Sequence, residues 1–141
     1  MPHARSEFVR VFQRQSAGCA NFGSPLWARL LSDAAADIES GGALWDFLRD
    51  WDGEIEQGAI ALRVAGGLHY LALAGEAPAL AALLPSCGGS PDPDRLWSTA
   101  SRLLIERADR LRPFLASPPQ TNEVARSCAL MPGMLEIARA T

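Results

Sequence analysis

Apolar side chains recur along this chain at three- and four-residue steps, the period of a helix. Phe8, Val11, Phe12, Cys19 and Phe22 fall on one side of a first helix, with Arg10 and Arg14 on the other. Gly23 ends that run, and Ser24-Pro25 starts the next with a capping residue and a proline at the first helical position. Trp27, Leu30, Leu31, Ala34 and Ile38 form the second stripe, closed by Gly41-Gly42. A short third helix carries Leu44, Phe47, Leu48 and Trp51, and Asp52-Gly53 turns the chain. Residues 58–75 are apolar almost all round, which predicts the central, most buried helix. Gly66 and Gly67 inside it each cost about 1 kcal/mol against alanine, and the expected compensation is close approach of a neighbouring helix.

A short helix over 78–84 comes next, then a loop over 85–93. Asp92-Pro93 starts a long amphipathic helix bearing Leu96, Trp97, Ala100, Leu103, Leu104 and Leu111, on which Glu106 and Arg110 are spaced for an ion pair. Pro113 ends or kinks it. After Pro118-Pro119 a last helix is expected to bury Val124, Cys128, Met131, Leu135 and Ala138, with a kink or break at Pro132-Gly133. No window alternates strictly enough for a strand. The pattern predicts an all-α fold, an irregular orthogonal bundle of about six or seven helices in one domain over residues 1–141.

Composition narrows the function classes. A chain of 141 residues can bury a real core, and 48% hydrophobic with 21% charged residues excludes a disordered chain. A net charge of −3 leaves no overall electrostatic footprint for nucleic acid or anionic lipid. All 13 basic residues are arginine; that absence of lysine reads first as genomic compositional bias. Cys19, Cys87 and Cys128 have neither the number nor the spacing of a disulfide framework or a zinc site. The first fourteen residues carry Arg5, Glu7, Arg10 and Arg14 in place of a signal-peptide core. The run 59–74 is interrupted by Arg63 and His69 and is too short to span a bilayer. The expected location is the cytoplasm, with no membrane and no nucleic-acid partner.

Two sets of residues stand out as candidate chemistry. The first is Gln120, Thr121, Asn122, Glu123, Arg126 and Ser127, six polar side chains gathered between Pro118-Pro119 and an apolar run. On a helix, Asn122, Glu123, Arg126 and Ser127 share one side. They would form a polar wall at a helix N-terminus, where free backbone N–H groups favour an anion or polar ligand. Capping alone accounts for Thr121, Asn122 and Glu123, but less well for Gln120, Arg126 and Ser127. The second set is Arg63 and His69 in the most apolar helix. A buried guanidinium needs a partner. Arg63 is therefore either a ligand contact or one half of a structural ion pair with Glu54, Glu56 or another acid. His69 is either a proton-transfer group or a satisfied core histidine.

Other features read as scaffold. Gly88-Gly89-Ser90 lacks the lysine and preceding strand of a phosphate loop. Cys128 lies on an apolar stripe, His3 lies in an end expected to fray, and Trp27, Trp45, Trp51 and Trp97 sit on or beside apolar faces. No nucleophile–base pair and no metal-ligand spacing is visible, so no metal is expected.

The order of segments resembles a known family. It comprises QRQSAGC, then Gly23-Ser24-Pro25-Leu26, Leu62-Arg63, Gly67-Leu68-His69, Leu73-Ala74-Gly75 and Pro91-Asp92-Pro93, and finally Gln120-Thr121-Asn122-Glu123-Val124-Ala125-Arg126-Ser127. Together they resemble the N-terminal half of the bacterial domain of unknown function 2332, across essentially the whole chain. The last of these runs is the specific part. Longer members continue into a glycine-containing strand–turn–helix that looks like the cofactor turn of S-adenosylmethionine-dependent methyltransferases. That turn would begin beyond Thr141, so the resemblance implies a truncated, methyltransferase-like protein whose cofactor segment is missing and in which no cofactor is bound. On this reading the chain does no chemistry alone, and its octet contacts the missing C-terminal domain or its substrate. The alternative is a free-standing helical module that binds a protein or small ligand. Either way the last helix, around Met131, Met134, Leu135 and Ile137, would be left with an apolar face for a homo-oligomer partner.

Overall fold

Proline and glycine punctuate the helices much as the sequence predicts. A computed structural model describes residues 3–55 and 59–116. Among them the protein is all-α, with no strand. Helix α1 (Arg5–Asn21) buries Phe8, Val11, Phe12 and Cys19. Gly23 follows in the left-handed region at φ 81°, and α2 (Pro25–Ser40) returns along α1 with Trp27, Leu30, Leu31 and Ile38 inward. Helix α3 (Ala43–Leu48) is short and takes its N-terminal partner from the helix before it. The Leu44 N–H donates to Asp37 Oδ1 at 2.8 Å, which satisfies one of the donors that a helix start leaves free.

Helix α4 (Ile60–Leu73) is the centre of the bundle, with residues 60–69 all buried. The close approach expected at its glycines occurs at Gly67. A Cβ there would lie 3.1 Å from Leu111 Cδ2 and 3.2 Å from the Phe114 ring. Helix α5 (Pro78–Ala81) and a 3-10 turn (Pro85–Cys87) lead into α6 (Pro93–Glu106), followed by α7 (Ala108–Leu111) and α8 (Pro113–Ala116). Phe8, Phe12, Leu30, Leu31, Leu48, Leu62, Leu68 and Leu80 are among the largest fully buried side chains. No helix of the described residues is long and apolar enough to cross a membrane.

Two expectations need correction. The long helix through Leu111 is broken at Arg107, whose φ of −122° and ψ of 29° leave the helical region. The break carries Leu111 into the core beside α4, and it removes the four-residue register that would have paired Glu106 with Arg110. Arg110 instead grips Glu76, Nε to Oε1 at 2.8 Å and Nη2 to Oε2 at 2.7 Å. That grip, and the charge of Arg107 behind it, hold the Glu76 carboxyl below the usual range. Second, His3 is not a frayed residue. Its Nε2 lies 2.6 Å from the Gly53 carbonyl and its ring packs against Phe8 and Trp51. The four tryptophans lie on or beside apolar faces as expected: Trp27 is buried, and Trp45, Trp51 and Trp97 pack half-buried against the core. The expected last helix, its Pro132-Gly133 kink and its apolar face lie outside the described residues.

Candidate functional site

Arg63 enters the core because its neighbours in sequence are apolar on every side of α4. It is 5% exposed. Its Nη1 donates to the Leu115 carbonyl at 3.2 Å. The indole Nε1 of Trp51 donates to the same oxygen at 3.0 Å, so one carbonyl serves two donors. The Arg63 Nε is buried and has no hydrogen-bond partner among the described residues. Among the described residues no carboxylate pairs with this guanidinium. The ion pair with Glu54 or another acid is therefore not found there, and Glu56 lies outside the described residues. Burial pushes the Arg63 guanidinium below the ordinary arginine range, because desolvation disfavours the charged form.

Around the Leu115 carbonyl, residues of α3, α8 and the joint before α8 form a shallow surface whose lining does not include Arg63. Arg112 stacks over the Phe47 ring at 4.8 Å and donates Nη1 to the Phe47 carbonyl at 3.3 Å. A shallow cavity of about 180 Å³ is lined by Phe47, Asp50, Trp51, Arg112 and Leu115. Sequence reasoning missed Trp51 and Arg112 as members. For Trp51 a signal existed, since a half-buried indole N–H needs an acceptor; for Arg112 none did.

His69 belongs elsewhere. It is fully buried, shares a 2.8 Å hydrogen bond between Nε2 and the Ser86 hydroxyl, and packs on the Trp27 ring at 5.4 Å. It lies six positions after Arg63, which is about 9 Å along a helix and about a third of a turn around it. The two side chains therefore have separate partners and do not line one cleft. Gln120, Thr121, Asn122, Glu123, Arg126 and Ser127 lie outside the described residues.

The Gly88-Gly89-Ser90 segment is not a phosphate cradle. Its amides donate to Pro85, Leu84 and Ala82 carbonyls, each at 2.9 Å, which leaves no N–H aimed outward in a nest. No strand–turn–helix suited to S-adenosylmethionine occurs among the described residues, and no group of three metal-ligating side chains does either. What the Arg63 site offers is a cation with an unused donor. Such a group can bind a carboxylate or phosphate oxygen.

No curated protein and no solved structure matches the chain. A family model, described as an uncharacterized protein conserved in bacteria, matches residues 9–141 and so takes in every helix described above except the first turn of α1. The chain belongs to that family, the domain of unknown function 2332.

Proposed function

We propose that this chain is a non-catalytic recognition module, which contacts the substrate or the second domain of a methyltransferase-like assembly at the end of the bundle where Arg63 meets Leu115. The observation that carries this reading is the Arg63 guanidinium, 5% exposed, with its Nε unbonded and no acid paired to it among the described residues. A buried charge without an acid is expensive to keep, and an incoming carboxylate or phosphate is what would offset that cost. The polar octet Gln120 to Ser127 begins five residues after Leu115 in the sequence, and this reading assigns it to the same contact. S-adenosylmethionine, in this reading, belongs to the second half of longer family members.

The test supplies that second half in trans. The glycine-containing C-terminal half of a longer family member, expressed as a separate chain, is titrated into this protein in a calorimeter. Saturable association is expected, weakened about tenfold or more by Arg63→Met. No association, or equal association by the variant, would remove the proposal.

A further inference from the structure

Between α5 and α6 lies a cleft of about 420 Å³ whose polar wall is one face of α6. Arg95, Thr99, Arg102 and Glu106 repeat along that face at three- and four-residue steps, and Arg107 stands at its end. Among the described residues Arg95, Arg102 and Arg107 form no ion pair. The cleft's other acid, Glu76, is already held through both oxygens by Arg110. Glu76 and Glu106 are the two acids among the lining residues, against the three arginines Arg95, Arg102 and Arg107. Positive charge is thus concentrated in one concavity of a chain whose net charge is −3.

The dimensions select the ligand. The volume suits a small molecule. Arg95 and Arg102 are seven residues apart, about 10 Å along the helix, so their side chains approach a ligand from two directions. A carboxylate presents two oxygens in one plane and is satisfied by one guanidinium fork. A phosphate presents oxygens around a tetrahedron and accepts from several guanidinium groups at once. The Thr99 hydroxyl, placed between the two arginines, has no partner among the described residues. We infer that this cleft binds a small phosphorylated molecule carrying at least two negative charges, with Arg95, Arg102 and Arg107 holding the phosphate oxygens and Thr99 donating between them. The site is separate from Arg63 and does not depend on the reading proposed for it.

Inorganic pyrophosphate is the probe. Calorimetric titration of the full chain is expected to show one site per chain, with affinity that falls as salt is raised. The double variant Arg95→Gln, Arg102→Gln is expected to bind about tenfold or more weakly with an unchanged melting temperature. Arg49→Gln, which alters a guanidinium beside Asp46 outside the cleft, is expected to bind as the parent does. Should the double variant fail to fold, Arg102→Gln alone should still weaken binding about threefold. The inference is overturned if pyrophosphate does not bind, if the cleft variants bind it as the parent does, if Arg49→Gln loses as much, or if citrate binds equally well.

Discussion

Arg63 carries its charge where the described bundle returns only one carbonyl oxygen. Removing one member of a buried ion pair costs about 3–5 kcal/mol, whereas exchanging buried charge for well-packed apolar volume is neutral or stabilising by about 1–4 kcal/mol. Arg63→Met keeps the length of the side chain, and Trp51 still satisfies the Leu115 oxygen. Its urea midpoint is therefore expected to hold or rise, by an amount equivalent to at most about 2 kcal/mol. A clear fall in the midpoint would instead place an acid partner for Arg63 within the chain itself and undo the argument for an external one. His69 makes the opposite case. Its hydrogen bond to Ser86 and its packing on Trp27 account for its burial without any ligand.

Helix boundaries depend on contacts that are short in space and variable in sequence distance. Asp37 supplies the α3 start from seven residues upstream, so Asp37→Ala should lose about 1 kcal/mol, the usual worth of a cap, measured by urea unfolding; no change would mean that water replaces it. Gly89 lies against the backbone of Ala81 and Ala82, where a Cβ has no room and no flexible side chain can yield. Gly89→Ala should cost about 2 kcal/mol or more, and a melting temperature equal to the parent's would refute that packing. The periodic stripes of α1, α2 and α4 were legible from sequence because a helix that buries one face must repeat its apolar residues. The break at Arg107 was not, because it is set by where Leu111 finds space beside Gly67, a contact more than forty residues away in sequence. For the same reason Arg110 looked like a partner of Glu106. The candidate site was legible only in part. An arginine within an apolar helix announces itself, but the carbonyl it would share with Trp51 does not.

Across the whole molecule, the Glu76–Arg110 pair ties the end of α4 to α7 on the exposed surface. Arg110 holds the Glu76 carboxyl below its ordinary value. A depressed carboxyl contributes stability above its unfolded pKa and loses it as pH falls through the folded one. The contribution should be small, since exposed pairs are screened. Glu76→Gln is therefore expected to flatten the acid limb of the stability profile slightly, and an unaltered slope below pH of about 4.5 would discount the pair. The oxygen of Leu115 has a consequence for synthesis. It is reached by Trp51 across 64 residues and by Arg63 across 52, while α1 and α2 can pair as a local hairpin. On the ribosome the N-terminal helices are free to assemble early. The indole and the guanidinium must wait for the acceptor to emerge, so closure of the bundle is a late event in the life of the nascent chain.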